Sequence, residues 1–332
     1  MRLVATARGT RPFEGPEADL VVAMAEIAQH GHLGQEPCDL TDFIADADPW
    51  SDIESAISDI ARWLPRSHDR RDACHCTLLV ALGSDDPDAA ALGTARWIAK
   101  RLGADDITMR DVEASAQANA ARAEAELFRR FLVWKTGERE QIIQERLAAG
   151  FPAVPTPPED VERLRRLLGE AREGTVGAEL ASFYAQTGFD LPGSPGTMPL
   201  EVLGSHDVHH ILAGYDASAE DEIYLAAYTA ANAVNGGADF LAVIMLQWHQ
   251  GIKIGFFPSE RAPINAHLFA IATERGAQTP VDLSDGSWDW QSLLSRPLAE
   301  ARGELGIPEG GRVGPGDPWD ASHHGRMSSK IP

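Results

Sequence analysis

Cysteine is scarce in this chain: Cys38, Cys74 and Cys76 are its three cysteines in 332 residues. An odd number without framework spacing excludes a disulfide-stapled scaffold and fits free thiols in a reducing compartment. Positive charge is also short, with 29 Lys and Arg against 50 Asp and Glu and a formal net charge of -21. That balance excludes a nucleic-acid partner, because a phosphate backbone would be repelled at every approach. Long hydrophobic runs are missing as well. The longest, FLAVIMLQW at 240–248, is far below the roughly 20 residues that span a bilayer. The first residues, MRLVATARGTRPFEG, lack the apolar core of an export signal. No segment alternates as a strand does, and no phosphate loop, dinucleotide fingerprint or nucleophile elbow is present.

Helical periodicity is what remains, on a composition ordinary for a globular protein at 44% hydrophobic and 24% charged. The expected fold class is all-α, in two helical domains, since 332 residues exceed the usual size of one. Residues 1–112 read as a small bundle. EADLVVAMAEIAQHG stops at Gly31, WSDIESAISDIARWL starts behind Ser51 and ends before Pro65, RDACHCTLLVALG runs to Gly83, and DPDAAALGTARWIAKRLG ends at Gly103. Cys74-His75-Cys76 has no matching second pair, so buried thiols are expected there rather than a metal.

Residues 113–308 form the expected second domain. One long helical stretch, 112–150, precedes the proline-rich FPAVPTPPED. Further helices follow in DVERLRRLLGEA, GTVGAELASFYAQTGFD, a segment from about Thr197 to Gly214, IYLAAYTAANAV, ADFLAVIMLQWHQG, INAHLFAIATERG and LAEARGELG. The Gly-, Pro- and Ser-rich residues 309–332 are expected to be disordered, with His323 and His324 solvated. His249 and His267 are expected in the core.

The chemistry concentrates in HDVHHILAGYDASAEDE, residues 206–222. On a helix advancing roughly 100° per residue, His206 and His210 lie about 40° apart on one face, while His209 points elsewhere. Two imidazoles so placed can grip one divalent metal with little reorganisation. Gly214 ends that helix, and Ser218-x-x-Asp221 reads as a capping box for the next, with Glu222 in its first turn. An antiparallel pair would return Glu222 to the histidines as the third ligand, with Asp207 a fourth ligand or an outer proton acceptor. The competing reading is two partly buried histidines and three acids complementing a helix dipole.

H-D-x-x-H, eleven residues, then E, matched at His206, Asp207, His210 and Glu222, resembles the signature of the fourth Coq protein family of ubiquinone biosynthesis. GTVGAELASFY upstream, ILAGY after the histidines and PLAEARGELGI near the end are similar to that family, over roughly residues 160–308. The resemblance implies an all-helical fold, with a metal held by His206, Asp207, His210 and Glu222. It implies action on a prenylated aromatic quinone precursor, at the C1 carboxyl that is removed and replaced by oxygen, and a part in organising other enzymes near the membrane. The first half resembles, more weakly, the TerB family of helical domains. Its first loop, His30-Gly31-His32-Leu33, departs from that family's aspartate-glycine pattern, so docking of a partner protein is expected of it rather than metal binding.

Iron would suit oxidative chemistry at such a site and zinc would suit hydrolysis, with Asp207 as the catalytic base. The alternatives to the quinone enzyme are therefore a zinc hydrolase and a non-enzymatic lipid-binding or assembly protein with a structural metal. The apolar helices at 223–234 and 240–248, with GFFP at 255–258 at its mouth, would be the walls of any isoprenoid groove. A cytoplasmic protein, or one peripheral to the inner face of the membrane, fits these readings.

Overall fold

A computed structural model describes residues 53–83, 89–116, 121–150, 156–234, 236–255, 259–284 and 288–311. The segments holding Gly31 and the helix expected before it, His30 to Leu33, Cys38, Ser51, residues 151–155 of FPAVPTPPED, residues 256–258 of GFFP, His323 and His324 lie outside them. Among the described residues the protein is all-α, with thirteen α-helices and no strand.

The first half contributes α1 (Ile53–Trp63), α2 (Ser67–Leu82), α3 (Ala89–Arg101) and α4 (Ile107–Ala116). Helix α2 closes on Gly83, whose amide bonds the Leu79 and Val80 carbonyls, as the glycine after LLVAL suggests. Helices α5 (Ala121–Thr136) and α6 (Glu140–Ala148) follow. The expected single long helix is broken there: Gly137 takes φ 66°, a left-handed value that ends an α-helix and that glycine adopts without a steric penalty. The later helices are α7 (Pro158–Gly169), α8 (Val176–Thr187), α9 (Leu200–Ala213), α10 (Ala219–Asn232), α11 (Gly237–Ile244), α12 (Ala266–Gln278) and α13 (Leu298–Leu305). A π-helical turn, Met245–His249, extends α11.

Two apolar clusters organise these helices. The larger joins Leu79 and Leu82 of α2, Ile98 of α3, Val112 of α4 and Leu132 of α5 to Tyr224 and Tyr228 of α10, Leu241 of α11 and Phe269 of α12. Residue 112, expected at a domain boundary, thus lies inside α4 and in a core that both halves share. The smaller cluster gathers Leu164, Leu180, Leu283, Trp290 and Ile307. Helix α9 is wedged between the two. Its Val202 and Ala213 belong to the first cluster, and its Val208, Ile211 and Leu212 to the second. Buried Arg146 of α6 ties itself to this helix through Glu201 of the first turn of α9, while also holding Glu138.

Helix α10 is buried at every position from Ile223 to Asn232, which its alanines permit by letting neighbours approach closely. IYLAAYTAAN is therefore core along its length, and Leu241 to Leu246 of the neighbouring segment are buried too. His249 is core, donating from Nδ1 to the Ala262 carbonyl at 2.8 Å, whereas His267 is exposed on α12. No helix among the described residues is long and apolar enough to cross a membrane.

The tightest approach in this core is α12 against α10, where a Cβ at Gly276 would collide with the Tyr228 carbonyl oxygen. Gly276→Ala is expected to destabilise the protein by about 1–3 kcal/mol, since the obstacle is backbone. Gly303→Ala, with open space around the same atom, should be neutral or stabilise by up to about 1 kcal/mol through helix propensity. Thermal melts of both variants check this, and equal melting temperatures would contradict the packing.

Candidate metal centre

The site is built by one turn between two helices. Helix α9 stops at Gly214, whose φ of 81° is left-handed and whose amide bonds the His210 carbonyl. The last-turn carbonyls of Ile211 and Leu212, which no later helical amide reaches, accept from the Arg302 guanidinium at 3.1 and 2.9 Å. The chain then folds back on itself through Asp216, whose amide donates to Asp221 Oδ2 at 2.8 Å. Ser218 caps α10 as its sequence suggests, its Oγ accepting from the Asp221 amide at 3.2 Å. Eight residues after Gly214, Glu222 sits in the first turn of α10 and faces α9.

Its carboxylate meets both histidines. Glu222 Oε2 lies 3.6 Å from His206 Nε2, and Oε1 lies 3.4 Å from His210 Nε2. One donor atom from each of the three residues falls within 4.8 Å of the others, a set that can hold a metal ion. Ligands placed about 2.1 Å from a tetrahedral cation stand roughly 3.4 Å from one another, so these separations fit a shared ion better than direct hydrogen bonds.

The tautomers fit as well. His210 Nδ1 lies 3.1 Å from the Tyr215 carbonyl oxygen, which can only accept, so Nδ1 carries a proton and the Nε2 lone pair of the neutral ring would face Glu222. His206 Nδ1 lies 3.2 Å from Asp207 Oδ1, with the same consequence when the ring is neutral. Buried Tyr184 of α8 donates to the other Asp207 oxygen at 2.7 Å. Orientation of metal-binding imidazoles by an acceptor on the far nitrogen is the usual outer layer of such sites.

Without an ion, protons hold the site together. Burial opposes the charged ring of His206, but hydrogen bonds and charge from Asp207 and Glu222 outweigh it and raise its pKa to about 9. Burial likewise opposes the Glu222 carboxylate, yet His210 and His206 hold it well below the usual carboxylate range. For Tyr184, burial first and Asp207 second push the phenol far above its ordinary value, so it stays a donor.

The structure brings together His206, His210 and Glu222. Asp207 stands behind His206, engaged by Tyr184 and the His206 ring rather than turned to the trio. His209 points away, as the helical spacing requires. It lies against Tyr228 with ring centroids 5.2 Å apart, and burial followed by the charge of Lys135 drives its pKa down. Glu220 is taken by the Tyr224 hydroxyl at 3.3 Å. Cys74 and Cys76 are buried thiols that no disulfide joins, with burial pushing both up to about 12. Between them His75 contacts Asp106 at 2.9 Å and Asp239 at 3.2 Å, so no ligand set forms there. Tyr184 and the Tyr215 carbonyl escape sequence reading, because neither lies at a spacing that relates it to the histidines.

Two outcomes are expected. His206→Ala or His210→Ala should abolish stoichiometric metal, while His209→Ala keeps it; elemental analysis showing equal loss in all three would contradict the shared face. The metal-free protein should show a pH signature. The folded pKa of His206 is above its reference 6.5, so its contribution is full below pH 6.5 and is lost as pH rises through about 9. The folded pKa of Glu222 is below its reference 4.5, so its contribution is present above that value and is lost on acidification. The denaturation midpoint should therefore fall between about pH 6.5 and 9, and less so in His206→Ala. A parent midpoint flat across that window would contradict the pairing.

No family model matches the chain, and no curated protein and no solved structure matches it.

Proposed function

We propose that this is a metal-dependent protein of ubiquinone or related prenyl-quinone biosynthesis, acting on the C1 carboxyl of a prenylated aromatic precursor. The observation that carries the proposal is that the two histidines of H-D-x-x-H and its distant glutamate converge as one donor trio, with each histidine fixed by its far nitrogen. Two neutral imidazoles and one carboxylate leave a divalent ion with net positive charge and open positions, which suits an anionic, carboxyl-bearing substrate. Zinc in that place supplies Lewis acidity, and iron supplies electron transfer to dioxygen.

The chain's own residues have separable parts. His206, His210 and Glu222 bind. Asp207 orients His206 through one oxygen and is itself held by Tyr184, which donates to the other. Replacing an aryl carboxyl by a hydroxyl consumes the acid, one dioxygen, two electrons and two protons, and releases the phenol, carbon dioxide and water. The electrons come from an external reductant.

Against the zinc-hydrolase reading, the Asp207 oxygens are engaged by Tyr184 and His206 and not directed to a water on the ion. The reading as an assembly protein with a structural metal, rather than a lipid-binding one, has one observation in its favour: IYLAAYTAAN, which would wall an isoprenoid groove, is buried in the core. The N-terminal half would then dock a partner protein, and membrane contact would be peripheral, from the cytoplasmic face.

Turnover decides. Iron-loaded protein given a prenylated aromatic acid, dioxygen and a reductant should release carbon dioxide and place one oxygen from labelled dioxygen in the product. Glu222→Gln should abolish this and weaken metal binding, and Glu220→Gln should do neither. A parent that binds metal stoichiometrically yet leaves the acid intact would favour the assembly reading.

A further inference from the structure

Arg275 in α12 is buried, 5% exposed, and the company of its guanidinium is unusual for a charge in a core. It donates from Nη1 to the Tyr215 hydroxyl at 3.0 Å, and from Nη2 to the carbonyls of Pro308 and Gly310, each at 3.1 Å. Its carbon lies 5.5 and 5.7 Å from the ring centroids of Tyr215 and Tyr228. Every one of these partners is neutral. A buried cation held by neutral groups carries a desolvation cost that simple packing would avoid, so its position calls for a reason.

The partners supply one. Tyr215 is the residue whose carbonyl fixes the His210 ring, and it stands directly after Gly214 in the turn that returns Glu222. The same turn is covered by the end of the described chain: a Cβ at Gly311 would press on the Ala213 and Gly214 carbonyl oxygens, and one at Gly214 would meet the Gly310 carbonyl. Arg275 therefore grips the turn through the Tyr215 hydroxyl and the strap over it through two carbonyls. With Arg302 holding the Ile211 and Leu212 carbonyls, the turn is clamped from both sides.

We propose that Arg275 is a positioning residue for the metal centre: through Tyr215 and the 308–311 strap it fixes the carbonyl that orients His210, and so sets how tightly the trio holds its ion. This rests on the trio being a metal site, and deepens that reading. Loss of an outer partner of a metal-bound histidine typically costs about 10–100-fold in affinity, and a partner one step further out should lie at the lower end.

Full-length Tyr215→Phe, Arg275→Lys and Arg275→Met, purified metal-free, would be titrated with cobalt(II), reading affinity and the visible ligand-field spectrum beside a thermal melt. Tyr215→Phe keeps the carbonyl and ring and removes only the hydroxyl Arg275 holds. It is expected to bind cobalt about tenfold more weakly, with an altered spectrum, while still melting cooperatively. Arg275→Met should show at least the same loss, and Arg275→Lys, retaining a donor, an intermediate one. Wild-type affinity and spectrum in folded Tyr215→Phe would overturn the proposal, and that variant decides if Arg275→Met does not fold. A parent that binds no cobalt would instead overturn the metal site itself.

Discussion

Helix α9 is buried on nearly all sides between two apolar clusters, and that burial constrains everything around it. An exposed helix could leave His206, Asp207 and His210 to water. A buried one must find each a partner inside the protein or lose the desolvation energy of a polar group, about 1–3 kcal/mol apiece. The partners it finds are specific: Glu222 for both Nε2 atoms, Tyr215 for one Nδ1, Asp207 for the other, and Tyr184 for Asp207. The polar chain is continuous from α8 through α9 to α10, and each group in it holds the next in a single orientation.

Charge gives that chain its direction. Glu222 is the carboxylate set between the two histidines, and a proton or a metal ion that neutralised it would occupy the same small space. Either would satisfy the trio, so an ion that bound there would release protons from the site. Both far nitrogens meet acceptors, so that in the neutral rings the near nitrogens are lone pairs turned towards Glu222.

Local signals in the sequence suffice to bring His206, His210 and Glu222 to one place, where the structure also has them. The i, i+4 histidines, Gly214 as the helix stop and Ser218-x-x-Asp221 as the cap are all properties of a few consecutive residues, and each has the structural role its spacing suggests. Gly83, which ends α2, is legible for the same reason. What was illegible depends on residues far apart. Tyr184 reaches Asp207 from 23 positions away and Arg275 reaches Tyr215 from 60, distances at which no periodicity survives. The break at Gly137 was hidden because its flanks are both strongly helical. The core shared across residue 112 arises from α2 and α4 meeting α11, a contact between segments more than a hundred residues apart.

X-ray absorption at the metal edge, on protein purified without a metal-affinity tag and loaded with one equivalent of zinc, tests the central claim most directly. The account predicts a first shell of nitrogen and oxygen at about 2.0–2.2 Å, with the outer-ring scattering of two imidazoles, and loss of one imidazole's scattering in His210→Ala. Sulfur at about 2.3 Å, which would place the ion on Cys74 and Cys76, or an oxygen-only shell with no imidazole scattering, would contradict it.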